Sequence, residues 1–146
     1  MSGQDGPDPV DILLVEDNPG DVRLTREAFK DGSIANNLHV VEDGVDALEF
    51  CHQRGDYVDA PRPAIILLDL NLPRKNGEEV LEEIRNDSNL QTIPVIVLTS
   101  SDAHDDVVRS YELCANAYLR KPVDPDGFID AIRSLEEFWL SVVRLP

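Results

Sequence analysis

AIILLDLNLPRKNG, residues 64–77, sets five apolar residues in a row ahead of a single aspartate, Asp69. An apolar run this short, bounded by proline on one side and a polar turn on the other, reads as a strand buried on both faces. Such strands lie in the middle of parallel sheets. Working outward, comparable runs occur at 11–15 (DILLV), 38–41 (LHVV), 94–98 (PVIVL) and 117–119 (AYL). The runs at 11–15, 64–68 and 94–98 are apolar on both faces, as central strands require.

The segments between the runs carry helical spacing. After the first run, Asn18 can cap a helix and Pro19 suits its first position, with Val22, Ala28 and Phe29 as the buried stripe. The second helix is expected to bury Val45, Leu48 and Cys51. The third opens on Glu78 and Glu79, which favour a helix N-terminus electrostatically, and buries Val80, Leu81 and Ile84; Glu78, Glu79, Glu82 and Glu83 read as its solvated face. A fourth begins near Ser101 or Asp102 with Val107, Val108 and Tyr111. A fifth follows Pro125 with Phe128, Ile129, Ile132, Leu135 and Trp139 along one side. Five strands alternating with five helices predict a doubly wound α/β domain, (βα)5, with a five-stranded parallel sheet and right-handed crossovers. The loop 54–63 is expected to bulge from the surface.

The chain's 146 residues suit one domain, and 42% hydrophobic residues can fill its core. Residues 1–9 read as a disordered polar leader, 10–140 as the folded domain and 141–146 as an apolar tail extending the fifth helix. No apolar run approaches the ~20 residues a membrane helix needs, and the first residues lack the marks of a signal peptide; a cytoplasmic location is expected. A net charge of −16 argues against binding nucleic acid through a basic surface. Three lysines (Lys30, Lys75, Lys121) stand against ten arginines. That acid-rich, lysine-poor balance fits a salt-adapted, halophile-type protein as well as an ordinary acidic one. Cys51 and Cys114 read as reduced helix residues. His39, His52 and His104 share no ligand-like spacing with the cysteines, so no zinc site is expected.

In open α/β sheets, ligands bind beyond the carboxyl ends of the strands. The first run is followed by Glu16-Asp17, the second by Glu42-Asp43 beside Gly44, the third by Asp69, the fourth by Thr99-Ser100 and the fifth by Arg120-Lys121-Pro122. Any one of these alone could be a turn residue. Four strands each delivering a functional polar group to one edge is not a chance placement. Convergence of Glu16, Asp17 and Asp69 would require an offsetting charge, and a hard divalent cation with oxygen ligands supplies it; Mg²⁺ keeps waters and accepts a phosphate oxygen. With the ammonium of Lys121 and the hydroxyl of Thr99, these are parts for phosphoryl transfer to a carboxylate.

The set Glu16-Asp17, Asp69, Thr99 and Lys121-Pro122 is similar to that of the receiver domains of two-component response regulators, the CheY-like family. Residues 67–77 resemble its phosphoacceptor segment, with Pro73 and Gly77 in place. The likeness covers residues 11–140 and implies the flavodoxin-like strand order 2-1-3-4-5. It implies that Asp69 takes a phosphoryl group from a sensor histidine kinase. Asp17 would ligate Mg²⁺ directly, Glu16 largely through water, and Asn71 through its backbone carbonyl. Lys121 would pair with the phosphoryl oxygens. Thr99 would swing toward the phosphoryl group and Tyr118 would then turn inward. Lys121-Pro122 would be a cis peptide, and Asn71 and Ser101 would tune the phosphoryl lifetime. The apolar end, Phe138 to Leu145, resembles that of small regulators that partner bacterial phytochromes. It reads either as a homodimer or kinase-docking surface with the fifth helix, or as a tail folded onto its own domain. His104 reads as surface.

The leading reading is a phosphorylation-dependent switch and not a turnover enzyme. Two rivals are a phosphatase with an aspartate nucleophile and a scaffold that binds a partner unphosphorylated. The phosphatase needs a second acid two residues beyond Asp69, where Asn71 stands. The scaffold would carry a decayed site, whereas all five key positions are intact.

Overall fold

Every residue of β1 from Ile12 to Val15 is fully buried, and the architecture follows from that strand. The computed structural model describes residues 9–30, 35–70, 72, 74–99, 117–120, 126–127, 130 and 133–134, with only the backbone at 99 and 117–120. The described elements run β1 (Val10–Val15), α1 (Pro19–Lys30), β2 (Asn36–Val41), α2 (Gly44–His52), a short 3-10 turn (Gly55–Tyr57), β3 (Ile65–Leu68), α3 (Gly77–Asn86), β4 (Val95–Thr99) and β5 (Ala117–Arg120). The strands form one parallel sheet in the order β2-β1-β3-β4-β5. This is the expected flavodoxin-like order, with observed strands that differ from the expected runs by one or two residues at their ends.

Alternate residues of the central strands feed two cores. Leu13, Val15, Ile66, Leu68, Val95 and Val97 pack with Leu48, Phe50, Val80, Leu81 and Ile84 of α2 and α3. Ile12, Leu14, Ile65, Leu67, Ile96 and Leu98 meet Ala28 and Phe29 of α1 on the other face. Helices therefore cover both faces, which is why these strands tolerate no polar alternation. Truncating one such buried Leu or Ile to alanine costs about 2–5 kcal/mol.

The helix starts are built by short polar side chains. Asn18 Oδ1 accepts the Gly20 and Asp21 N–H groups at 2.9 and 3.2 Å, as its position before Pro19 predicts. Asp43 caps α2 by accepting the Asp46 N–H at 2.8 Å. Asn76 caps α3 in a reciprocal capping box: its side chain accepts the Glu79 N–H at 2.9 Å, and Glu79 Oε1 accepts the Asn76 N–H at 3.2 Å. Glu79 thus does more than face solvent. Thr25, fully buried on α1, satisfies its hydroxyl one turn back on the Asp21 carbonyl at 2.7 Å.

Of the expected stripes, Val80, Leu81 and Ile84 are buried, as are Ala28, Phe29, Leu48 and Cys51; Val22 and Val45 are only partly covered. The 54–63 loop lies at the surface, with residues 54–56, 58–59 and 62 exposed, and is tied to the domain at several points. Tyr57 and Ala60 pack on the larger core, and the Arg62 guanidinium donates to the Asn89 carbonyl at 2.6 Å and to Thr92 Oγ1 at 3.1 Å. Cys51 is a free thiol. Residues 1–8 of the leader, the expected fourth helix, Cys114, His104 and the tail at 141–146 lie outside the described residues, as does most of the expected fifth helix. Among the described residues no helix is long and apolar enough to cross a membrane.

Candidate functional site

The ladder that builds the sheet also builds the site. One residue beyond β1, the Glu16 N–H donates to the Val41 carbonyl of β2 at 3.0 Å; one residue beyond β3, the Asp69 N–H donates to the Val15 carbonyl of β1 at 3.1 Å. Sheet hydrogen bonding therefore continues into the first residue of each loop and fixes two carboxylates side by side at the carboxyl edge. Asp17 follows Glu16 in the loop to α1. Carboxylate oxygens of Glu16, Asp17 and Asp69 all lie within 4.8 Å of one another. Glu16 and Asp69 are buried and Asp17 is exposed, so the cluster opens to solvent on one side. The Asn18 N–H donates to Glu16 Oε2 at 3.1 Å and orients that carboxylate.

Three converging carboxylates repel one another when ionised, and a cation among them offsets that repulsion. The donor set is all oxygen, has one open side and is partly sunk in protein, which fits a hard divalent cation that keeps some of its waters. Glu16, Asp17 and Asp69 are the residues that would hold it. Among the described residues no other group of His, Cys, Asp and Glu converges in this way.

The remaining expected site residues are placed less completely. Thr99 ends β4 and its backbone pairs in register with Arg120. Tyr118 lies in β5 opposite Val97, so its backbone belongs to the edge strand of the sheet. Asn71, Pro73, Ser101 and the Lys121-Pro122 peptide lie outside the described residues.

Sequence reasoning missed how the loop from Asp69 to α3 is held. Gly77, at the start of α3, has no room for a side chain: a methyl built there would overlap the Asp69 carbonyl oxygen and lie 2.6 Å from Leu70 Cα. The Gly77 N–H donates to the Leu70 carbonyl at 3.0 Å, closing the loop on itself. Gly44, at the start of α2, is pressed against the backbone of Lys75, with 2.7 Å from a built methyl to the Lys75 carbonyl carbon. Arg74 sits in the left-handed region at φ 66° and places Nη1 3.2 Å from Asp43 Oδ2. Lys75 Nζ pairs with Glu83 Oε2 of α3 at 3.2 Å. Desolvation, with the neighbouring Asp43 charge adding to it, raises the Asp46 carboxyl above its ordinary value, while Arg74 pulls the other way. In the sequence, Asp43 and Gly44 stand out only as a polar pair after the second run, and the contact they make depends on a loop thirty residues on.

The response regulator receiver domain family matches residues 12–133. Response regulator Rcp1 of Synechocystis sp. is 47% identical over 146 residues, covering 100% of this chain and 99% of that protein. Among solved structures, the Mn²⁺-bound form of response regulator Rcp1 superposes with a TM-score of 0.88 at 47% identity, covering 94% of this chain and 99% of the other. The phosphorylated cyanobacterial phytochrome response regulator RcpA superposes with a TM-score of 0.90 at 43% identity, covering 95% and 99%.

Proposed function

The chain belongs to the response regulator receiver family of two-component phosphorelays, and on that premise we propose that Asp69 is its phosphoacceptor, served by Mg²⁺ at Glu16, Asp17 and Asp69. The observation that carries this reading is the convergence of three carboxylates within 4.8 Å at the sheet edge, two of them buried. Relatives of the same size support the chemistry: one is solved with Mn²⁺ bound and another phosphorylated.

The donor is a phosphohistidine of a sensor kinase, and the relationship to phytochrome regulators favours a kinase of that class. A carboxylate oxygen of Asp69 attacks phosphorus; the new O–P bond forms as the P–N bond to histidine breaks, and the electron pair stays with the imidazole nitrogen, which takes a proton. A divalent cation held by these carboxylates would supply charge neutralisation for them and for the phosphoryl oxygens. Asp17 and Glu16 would hold it, Glu16 largely through water, and the Asn71 carbonyl would add a ligand. Lys121, which a cis peptide would join to Pro122, would pair with a phosphoryl oxygen. Thr99 and Tyr118 then report the phosphorylated state to a partner that distinguishes the two conformations. The product is a labelled protein and not a released metabolite, so the protein is a switch, working in the cytoplasm.

Intact mass after incubation with MgCl₂ and acetyl phosphate, beside Asp69→Asn, tests the reading. One added phosphoryl group on the parent, absent from the variant and from an EDTA control, is the expected result. A label that persists in Asp69→Asn would move the acceptor elsewhere. A parent that takes no label and shows no Mg²⁺ binding would leave a protein-binding scaffold.

A further inference from the structure

We propose that Arg74 is a positioning residue for the metal site: its ion pair with Asp43 holds the loop that leaves Asp69 against the N-terminus of α2. This rests on the reading of Asp69 and its carboxylate neighbours as the metal site.

Four observations meet at this loop. Arg74 occupies a left-handed conformation, φ 66°, that glycine adopts without a steric cost and arginine does not. Something beyond local preference must hold it there. Its guanidinium reaches Asp43, whose carboxylate is divided between two tasks. Oδ1 accepts the Asp46 N–H and caps α2, while Oδ2 faces Arg74 at 3.2 Å. The Asp43 side chain is only 12% exposed, so the pair is anchored on the helix side although Arg74 itself is 57% exposed. One residue on, Gly44 lets the α2 backbone touch the backbone of Lys75, and Lys75 reaches Glu83 on α3. Gly77 then returns the chain onto Asp69 and Leu70.

Arg74 and Lys75 are thus tied by charge to the start of α2 and to α3, and Gly77 is tied by close packing to Asp69 and Leu70. Asp69 is five residues before Arg74. Its backbone N–H is fixed by the sheet, and the contacts of Arg74, Lys75 and Gly77 hold the far end of the loop that follows it. Releasing this clamp frees that end and loosens the placement of the Asp69 carboxylate relative to Asp17. An ion pair with one exposed partner supports an effect of about two- to fivefold on cation affinity.

The test is titration calorimetry of the full chain with Mg²⁺ alone, alongside urea unfolding. Asp43→Asn keeps the helix cap and removes the charge; Arg74→Gln keeps the reach and removes the charge. Each should weaken Mg²⁺ binding about two- to fivefold, the double variant should be no weaker than either single, and Arg74→Lys should recover part of the loss. Arg74→Gly separates placement from stability: its unfolding midpoint should hold or rise, because the left-handed residue becomes glycine, while its Mg²⁺ affinity falls. If the parent binds Mg²⁺ and both charge-removing variants bind it equally well, Arg74 has no positioning role. Losses that simply multiply in the double variant would show two independent effects and overturn the clamp. A parent that binds no Mg²⁺ overturns the metal site itself, and the clamp with it.

Discussion

Gly77→Ala tests the close packing that lets α3 begin on top of Asp69 and Leu70. A methyl at this position lies 2.6 Å from Leu70 Cα and 3.0 Å from the Asp69 carbonyl carbon, whereas unstrained carbon contacts sit near 3.5–4.0 Å. The obstructing atoms are backbone, so no side chain can swing aside, and the helix start or the loop must shift by ~1 Å. Overpacking of this kind costs about 1–3 kcal/mol. The helix propensity of alanine returns at most ~1 kcal/mol, and less in a first turn. The net loss should be about 1–2 kcal/mol, lowering Tm by ~2–8 °C for a domain near this size. Gly20→Ala is the internal control. Its nearest neighbour is the Asn18 carboxamide oxygen at 3.2 Å, a side-chain atom that caps an exposed turn of α1, and that change should stay within about 0.5 kcal/mol of neutral. Urea unfolding of both variants, followed by far-UV circular dichroism without Mg²⁺, gives the comparison. A Gly77→Ala midpoint at or above the parent's would show that the contact is not tight and refute the argument.

Burial pushes the Cys51 thiol up to about 12, so at pH 8 only ~1 in 10,000 is thiolate. In a Cys114→Ser background, a disulfide reagent should label Cys51 only as urea unfolds the protein, and prompt labelling of the folded protein would contradict its burial. With a net charge of −16, raising KCl from 0.1 to 2 M should raise Tm through screening of self-repulsion. Loss of the fold in low salt would mark salt adaptation, and a flat response would dismiss both effects. Sedimentation at several concentrations, with and without beryllofluoride, should show a dimer if the fifth helix and the 141–146 tail form an interface; a monomer throughout would assign the tail to its own domain.

The sequence was most legible where burial is two-sided. Ile12–Val15, Ile65–Leu68 and Val95–Leu98 have no polar face to confuse the period, and all three proved to be central strands. The acidic trio was equally legible, because a polar residue directly after a buried strand has few places to go. Local caps were harder. Asn18 announced itself by the proline after it, whereas Asn76 was hidden by the glutamates that seemed to open α3 on their own. The clamp around Arg74 left no sequence signal, since Asp43 and Arg74 are joined only by tertiary packing of α2 against the β3–α3 loop. Thr25 shows the same limit: a hydroxyl in the middle of an apolar stripe is neutral until its carbonyl partner one turn back is known.

The continuation of the ladder to Glu16 and Asp69 has a consequence for folding fidelity. β1 reads Ile-Leu-Leu-Val from 12 to 15, apolar on both faces, so sliding it by one residue against β3 would exchange one greasy face for another. Hydrophobicity alone barely penalises that error, although in one-sided strands it is the main guard. The guard here is at the ends. A slip would draw the Glu16 carboxylate in among the strands or strand Asp69 away from its neighbours. The acidic edge therefore acts as a checksum on strand alignment, and a chain that can gather its three carboxylates has thereby paired its sheet correctly.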